Sequence, residues 1–152
     1  MIRSDMRIRN ATSDDLDAIV ELAKLNRQFH TPTVDGKDAL ARVLSFKNNV
    51  FLVCISDVTV AGFIIGSWDG ARAIIHKISV HPDHRGKGIG RSLVNKSAKM
   101  FRDMGAPTLG VTAADGTRDE QNNSIPFWED LGFKSVAARL MVHFDLNELD
   151  GE

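Results

Sequence analysis

The stretch VHPDHRGKGIG, residues 80–90, decides the fold. An apolar, β-rich run leads into it, and a helical pattern follows, in which Val94, Ala98 and Phe101 recur at i, i+4 and i+7. Backbone amides in a turn that opens a helix point inward and, with the positive end of the helix dipole, form a site for an anion. The stretch therefore predicts a strand, an anion-binding loop and a helix, in that order.

The loop combines an adaptable backbone with positive charge. Its glycines are Gly86, Gly88 and Gly90, and its cations are Arg85, Lys87 and Arg91. Glycine adopts conformations that other residues avoid and leaves the amides open to approach, while arginine and lysine attract phosphate oxygens. The loop therefore predicts a diphosphate site. The alternative is a plain glycine turn that caps a helix, and the strand that leads into the loop favours the diphosphate.

Two better-known phosphate motifs fail on spacing. The dinucleotide pattern G-x-G-x-x-G requires glycine at the position of Arg91, and the P-loop requires serine or threonine at the position of Gly88. The sequence therefore disfavours a nucleotide-dependent dehydrogenase and a nucleoside triphosphatase.

Upstream of the loop, the pattern predicts two helices and four strands. Residues 6–9 predict a first strand, and the capping signature at 12–15 starts a helix whose apolar face repeats at i, i+3, i+4 and i+7. That face consists of Leu16, Ile19, Val20 and Ala23. The stretch 26–36 contains Pro32 and Gly36, breaks the helix and is a candidate edge of a substrate site, and a second helix is expected at 37–46.

Three β-rich runs follow the second helix. Residues 50–55 and 58–67 predict a hairpin across the polar pair at 56–57, and residues 73–81 predict the strand that leads into the loop. Strict alternation would place one set of side chains of this strand on a single face. That set is Ile74, His76, Ile78 and Val80.

Downstream of the loop, the helix is expected to end near residue 104, before a strand at 108–113. A short helix with Pro126 in its first turn and Gly132 at its end comes next. Strand is expected again from Phe133, and alternating apolar residues predict a last strand. They are Leu140, Val142, Phe144 and Leu146. The order of elements indicates a mixed sheet with helices on its faces.

The composition indicates one globular domain over residues 1–152, frayed at 1–5 and 147–152. With 19 Lys+Arg against 20 Asp+Glu, the net charge of −1 argues against a nucleic-acid or membrane-surface protein. No secretory segment or membrane-spanning run is seen, so a cytoplasmic location is expected. Cys54 lies in an apolar run and is expected to be buried and inert. The scattered histidines lack ligand spacing, so no metal site is expected.

These features together resemble the GNAT superfamily of acyl-CoA N-acyltransferases, whose central motif is [Arg/Gln]-x-x-Gly-x-[Gly/Ala]. Arg85, Gly88 and Gly90 match that motif, residues 8–12 are similar to the family's first strand and helix entry, and residues 127–133 are similar to its late helix. The resemblance implies an α+β fold with a mixed, mostly antiparallel sheet of about six to seven strands flanked by about four helices.

The resemblance also implies where acetyl-CoA binds. The loop amides would hold the diphosphate, the strand before the loop would pair with the pantetheine arm through its backbone, and an amide side chain near the late helix would meet pantetheine. Trp128 stands at the family's usual tyrosine position, where it would line the thioester pocket. The expected cofactor-binding residues are Ile78, Ser79, Val80, Arg85, Gly86, Lys87, Gly88, Ile89, Gly90, Arg91, Gln121, Asn122 and Trp128.

His76 is the candidate general base, because it lies on the strand that leads to the loop and histidine titrates near neutral pH. The alternative is a hydrogen-bonded strand histidine without a catalytic role. The family's arylalkylamine branch carries a second histidine where this chain has Ile74. The chain contains no tyrosine, so the family's usual general acid is missing, and an indole N–H does not replace it.

The resemblance implies an N-acetyltransferase that transfers acetyl from acetyl-CoA to a primary amine of a small molecule or peptide by direct attack in a ternary complex. The missing tyrosine keeps open a non-catalytic acyl-CoA-binding sensor or regulatory module. A nucleic-acid binder is disfavoured, because no aromatic platform accompanies the loop cations. Acidic residues near the expected entrance, Asp69, Asp115 and Asp119, suggest a cationic amine. Relatives often pair through sheet edges or late strands, which admits a homodimer.

Overall fold

The computed structural model describes residues 5–149. Residues 1–4 and 150–152, most of the two segments expected to be frayed, lie outside the described residues. The described residues form one five-stranded sheet in the order β1-β2-β3-β4-β5. The strands are β1 Met6–Asn10, β2 Asn49–Ser56, β3 Thr59–Trp68, β4 Ala73–Val80 and β5 Leu109–Val111. The first four are antiparallel neighbours, and β5 runs parallel to β4.

Helices cover both faces of this sheet. They are α1 Leu16–Leu25, α2 Pro32–Asp35, α3 Lys37–Ser45, α4 Ile89–Met104 and α5 Ile125–Asp130. The helices predicted at 37–46 and from the loop to residue 104 are confirmed, whereas α2, a single turn within the predicted break, was missed. Among residues 5–149, no helix combines the length and apolarity needed to cross a bilayer.

The predicted capping signature starts α1 through a short 3-10 turn, Ser13–Asp15. The amide of Thr12 donates to the Asp15 carboxylate at 2.8 Å, and the Arg9 guanidinium donates to the same carboxylate at 2.7 Å. These bonds hold the pKa of Asp15 below its ordinary value, and the bond from Arg9 has the largest effect. Burial acts in the opposite direction but is outweighed. The cap therefore fixes the start of α1 and joins it to β1.

The core has two layers, one on each face of the sheet. Side chains of β2 alternate between them, which explains why its apolar run is nearly continuous. On the α4 face, the buried residues include Val50, Leu52, Cys54, Ile64, Ile75, Ile89, Leu93, Phe101 and Trp128. On the α1 face, they include Leu16, Ile19, Leu22, Leu40, Phe51, Val53, Ile55, Phe63 and Ile65. Burial raises the pKa of the Cys54 thiol, which keeps it protonated at neutral pH.

The prediction that alternate residues of β4 share one face was wrong. Ala73 and Ile75 belong to the α4-face layer, and Ile78 and Val80 pack against the same layer, so the phase of the strand changes between them. The cause is a bulge: Ile65 of β3 pairs with Lys77 and the next residue pairs with Ile75, so that His76 is skipped. His76 therefore does not follow the alternation that was predicted for this strand.

The expectation of six to seven strands was also wrong for the described residues, which form five strands. The predicted strand at 108–113 is shorter than expected, and no strand forms between α5 and residue 149. The apolar side chains of the predicted last strand are exposed; Phe144, for example, is 95% accessible. Alternation shows that a segment can present one apolar face, but a strand also requires a neighbour for its backbone, and the described part of the chain supplies none there.

Candidate functional site

The sheet opens into a fork on one side of β4. β5 pairs with β4 only from Ala73 to Ile75, and the last bond between the two segments runs from the Thr112 amide to the Ile75 carbonyl at 3.2 Å. Beyond this point β4 continues to Val80 with no strand beside it on this edge within residues 5–149. A cleft of about 280 Å³ lies there, lined by residues 25–28, 78–80, 82, 85, 121, 122 and 124.

The glycine loop continues from the end of β4 into α4. A 3-10 turn, Pro82–His84, leads to the loop, and Gly86 and Gly88 adopt left-handed backbone angles with φ of 78° and 83°. The first amide of α4 in the helical pattern is that of Ser92, which donates to the Gly88 carbonyl at 3.0 Å. Helix geometry leaves the preceding amides without intrahelical partners. The loop therefore has the backbone form of an anion site.

Gly86 and Gly90 are glycine for different reasons. A side chain at Gly86 would meet no atom of the described chain within 4 Å, so only its left-handed backbone angle favours glycine. A side chain at Gly90 would lie 3.0 Å from the Phe127 ring, so this glycine lets α5 pack closely against α4. Ile89 is fully buried in the α4-face layer. The far end of the loop is thus anchored in the core.

Arg85 is held back toward α1. Its Nη2 atom donates to the Oδ1 atom of Asn26 at 2.8 Å, and its Nε atom points toward the Val80 carbonyl at 3.4 Å. Lys87 is partly buried in the loop, and Arg91 is exposed on the first turn of α4. The Nδ1 atom of neighbouring His84 is buried and has no hydrogen-bond partner among the described residues. The loop therefore presents cations and an unsatisfied polar atom around its amides.

The opposite wall of the cleft contains the amide residues that the family resemblance had implied. Gln121 and Asn122 line the cleft, and Gln121 accepts a hydrogen bond from Arg27 at 2.6 Å. Trp128, in contrast, is buried in the core, where it makes edge-on contacts with the rings of Phe127 and Phe133 at 4.9 and 5.1 Å. Trp128 is not among the residues that line the cleft, and its contact with a thioester stays a prediction.

His76 lies at the fork itself, one residue after β5 separates from β4. Its Nε2 atom is 2.6 Å from the Oγ atom of Ser67 on β3. Although part of the side chain is open to solvent, desolvation lowers the pKa of His76 below its ordinary value. A lowered pKa keeps the ring neutral at pH 7, so that it is able to accept a proton.

The turn after α1 contributes two residues that the sequence did not single out. Asn26 donates to the Val80 carbonyl at 3.0 Å and to the Ser79 hydroxyl at 2.6 Å, and Gln28 donates to the Ile78 carbonyl at 2.8 Å. The pattern break at 26–36 marked this stretch as the edge of a site. The individual contacts join residues about 50 positions apart, which no local pattern reveals.

The acidic residues proposed for a cationic acceptor are engaged within the chain. Asp69 pairs with Arg72 at 3.1 Å, Asp119 pairs with Arg27 at 2.9 Å, and Asp115 accepts the Thr117 hydroxyl at 2.6 Å. Backbone and side-chain bonds from Arg72, together with the Ala71 amide, hold the pKa of Asp69 below its ordinary value. These contacts weaken the case for a cationic acceptor. In the described part of the chain, no three His, Cys, Asp or Glu side chains are grouped as metal ligands.

A buried ion pair supports the fork from the α1 side. Lys77, next to His76, pairs with Asp35 of α2 and also donates to the Gln28 carbonyl at 3.0 Å. Burial acts to raise the pKa of Asp35, but Lys77 and the amides of His30 and Thr31 outweigh it, so the pKa lies below its ordinary value. The pair fixes α2 and the turn after α1 against β4.

Removing the cation of this pair is expected to destabilise the protein. Lys77→Met should lower the free energy of unfolding by about 3 kcal/mol, because it leaves the Asp35 carboxylate buried and unpaired. Asp35→Asn in the Lys77→Met background should recover part of the loss. The asparagine oxygen can still accept the amide of His30, which donates to Asp35 at 2.8 Å. Urea unfolding monitored by circular dichroism measures each difference.

The exposed pair of Lys37 and Asp17, at 3.0 Å, provides a matched control. Lys37→Met should cost less than about 1 kcal/mol, since exposed ion pairs contribute little. The pKa of Asp35 is lower in the folded protein than in the unfolded chain, where it is about 3.9. The Asp35 carboxylate therefore contributes to the free energy of unfolding above that pH, and this contribution is lost as the pH falls through the folded pKa. Equal losses in Lys77→Met and Lys37→Met at pH 7 would contradict the assignment.

A larger cavity, of about 670 Å³, lies between β1, α1 and the turn of the β2–β3 hairpin. Its polar groups include Arg9 and Asp15, which already bind each other at the start of α1. The smaller cleft is the better candidate site, because it is lined by the free edge of β4, residues 78–80, and by Arg85 at the start of the glycine loop. His76, at the fork, is not among the residues that line it.

Comparison with known proteins finds a matching family and several similar proteins. A model described as the acetyltransferase (GNAT) family matches residues 16–133. An acetyltransferase of Yersinia pestis (strain Pestoides F) is 28% identical over 133 residues, which cover 86% of this chain and 89% of the relative.

Two solved structures have a similar fold. A transcriptional regulator from Bacillus halodurans C-125 gives a TM-score of 0.74 at 27% identity, covering 91% of this chain and 99% of its own. The PaiA N-acetyltransferase from Thermoplasma acidophilum, in complex with coenzyme A, gives a TM-score of 0.76 at 18% identity, covering 88% of this chain and 92% of its own. At that identity the likeness shows the fold alone.

Proposed function

Because the chain belongs to the acetyltransferase (GNAT) family and is thereby an acyltransferase of the N-acetyltransferase type, we propose that its acceptor is a primary amine. The acceptor is part of a small molecule or a peptide. The amine attacks acetyl-CoA directly within a ternary complex, so that no acyl group is passed to the protein first. This order of events requires both substrates to meet at the fork of the sheet.

The observation that carries the proposal is the glycine loop at the end of the free edge of β4. Left-handed Gly86 and Gly88, the first amides of α4, to which helix geometry gives no intrahelical partner, and the nearby cations suit the diphosphate of CoA. The free edge beyond Ile75 suits an extended arm that carries amide groups, because its backbone has no neighbouring strand there among the described residues. The residues present therefore fit acetyl-CoA, which supplies the thioester when bound.

In this proposal His76 is the general base. A neutral amine is required for attack, and a neutral imidazole at the fork is suited to take its proton directly or through a water molecule. The described residues offer no tyrosine for the departing thiolate, since the whole chain has none. Thiolates are tolerable leaving groups, so we assign their protonation to water or to the ammonium formed in the attack.

The missing tyrosine supports a second candidate, in which the same fold holds acyl-CoA as a sensor or regulatory module without turnover. Both candidates require acetyl-CoA to bind. They differ in chemistry, because only the enzyme releases the CoA thiol when an amine is supplied.

Titration calorimetry with acetyl-CoA, followed by a thiol-release assay across a panel of small-molecule and peptide amines, tests both candidates. We expect binding in the micromolar range and amine-dependent release of the CoA thiol. Binding without release from any amine would favour the sensor. The absence of heat and of thiol release would overturn both candidates.

A further inference from the structure

Three consecutive residues after α1 contact both walls of the cleft. Asn26 and Gln28 bind the β4 wall, and Arg27 between them binds the wall formed by residues 119–122. We call residues 26–28 the cleft turn. It lies in the stretch where the sequence pattern breaks, and it crosses the cleft at the level of the free edge of β4.

On the β4 wall, the cleft turn supplies hydrogen-bond donors to a strand edge. The Nδ2 atom of Asn26 donates to the Val80 carbonyl, and the Nε2 atom of Gln28 donates to the Ile78 carbonyl, at 3.0 and 2.8 Å. Alternate residues of a strand direct their backbone groups to the same edge. Two side-chain amides thus stand where an adjacent strand, or an extended ligand with amide groups, would donate.

On the opposite wall, the contacts of the cleft turn are made by the Arg27 side chain. Its guanidinium is 2.9 Å from the Asp119 carboxylate and 2.6 Å from the Gln121 side-chain oxygen. Its backbone is in the left-handed region, with φ of 62°, which is uncommon for a residue other than glycine. The contacts on both sides hold the turn across the cleft in this conformation.

We propose that the cleft turn is a gate that must release the free edge of β4 before acetyl-CoA binds. The inference rests on the proposed function, which assigns that edge to the pantetheine arm. The amides of Asn26 and Gln28 and those of the arm compete for the same two carbonyls. Opening breaks the contacts of Arg27 with Asp119 and Gln121 and frees the edge. It also requires the bonds from Lys77 to Gln28 and from Arg85 to Asn26 to break or to move with the turn.

The closed arrangement is poised to open, because it leaves polar groups imperfectly satisfied. The Oε1 atom of Gln28 is buried and has no hydrogen-bond partner within residues 5–149. An unpaired buried acceptor and a left-handed arginine both disfavour the closed state. Against these costs, the closed gate is held by the ion pair of Arg27 and by the amide contacts on β4. Bonds from Lys77 to the Gln28 carbonyl and from Arg85 to the Asn26 side chain hold it as well.

This mechanism predicts the sign of a mutational effect. If a protein binds only in its open form, its apparent affinity is the affinity of the open form multiplied by the open fraction. Weakening the closed form raises the open fraction and therefore raises the apparent affinity. A residue that merely lines a binding site behaves in the opposite way, since its removal weakens binding. Arg27→Ala and Gln28→Ala should therefore bind CoA more readily than their reference proteins.

The test measures the association rate and Kd of CoA by stopped-flow and calorimetry. Arg118→Ala is the matched control for Arg27→Ala, since Arg118 is an exposed arginine in the same loop as Asp119 and its loss removes the same charge near the anionic ligand. Relative to this control, Arg27→Ala should associate about three to ten times faster. Gln28→Ala, which changes no charge, should show the same increase relative to the parent.

The outcomes separate the gate from the proposed function. Binding by Arg27→Ala and Gln28→Ala that is equal to or weaker than that of their references overturns the gate alone. CoA binding by these two variants but not by the parent supports both ideas. No binding by any protein rejects the proposed function and the gate together. Asp119→Ala breaks the same bridge from the other wall and replaces Arg27→Ala if that variant does not fold.

Discussion

Replacing His76 by alanine is expected to lower kcat for acetyl transfer by about 100- to 1,000-fold, because a positioned general base contributes on that scale. The KM for acetyl-CoA should change little, since the loop that fits the diphosphate begins nine residues later at Arg85. His143→Ala is the control, because His143 belongs to the exposed segment after α5. Steady-state rates with an amine identified in the panel measure both variants.

The pH dependence of kcat/KM gives the second readout for His76. The base acts when neutral, so the rate falls as the pH drops through the pKa of His76, which desolvation places below its ordinary value. The parent should therefore stay active at pH 6.5 and lose rate only at lower pH, whereas His76→Ala should lack this acid limb. Unchanged turnover of His76→Ala at and below neutral pH would rule out His76 as the base.

The loop and the helix after it were predictable because their determinants are local. Gly88 caps α4 with a left-handed angle and Gly105 ends it with another, and both positions follow from glycine spacing alone. The capping box of Thr12 and Asp15 is equally local. Within such short stretches, backbone preference and hydrogen bonding act between neighbours, so the sequence carries the information directly.

The face of His76 was not predictable, because it depends on a second strand. The bulge arises where β3 passes from Ile65 to Gly66, and a side chain at Gly66 would lie 2.9 Å from the Ile74 carbonyl. The register is set by the pairing of β3 with β4, so the sequence of β4 alone does not reveal it. The cleft turn is non-local for the same reason, since Gln28 and Ile78 are 50 residues apart.

The late strands show the limit of a periodic pattern. Leu140 and Val142 alternate with other residues as they would in a strand, yet both are exposed in the structure. Alternation reports which side chains can share a face, whereas pairing requires a free edge at the right distance. The family resemblance also implied more strands than the described residues form, so neither the alternation nor the resemblance identified a partner strand for this segment.

The geometry separates the requirements for holding acetyl-CoA from those for using it. The loop is fixed by the core through Ile89 and by the contact of Gly90 with Phe127, while His76 depends on the bulge and on Ser67. A change in the loop should therefore affect binding without altering the pH profile. A change at His76 should do the reverse.

The second large effect is expected from a change in the glycine loop, and it concerns the affinity for CoA. Gly88→Ala is expected to raise the Kd for CoA by about 10- to 100-fold, which corresponds to the loss of one hydrogen bond to a charged group. Alanine disfavours the left-handed angle of Gly88 by about 1–2 kcal/mol, so the backbone relaxes and turns the amides away from their common point. Calorimetry with CoA measures the change.

Gly105 makes the comparison specific, because it lies at the other end of the same helix with φ of 111° and a side chain there would meet no atom of residues 5–149 within 4 Å. Gly105→Ala should destabilise the protein by a similar amount, about 1–2 kcal/mol, yet leave the Kd for CoA within about twofold, since no phosphate site lies at a helix C-terminus. If both variants lose affinity equally, general destabilisation explains the effect. If Gly88→Ala binds CoA like the parent, the loop is an ordinary helix cap and the diphosphate lies elsewhere.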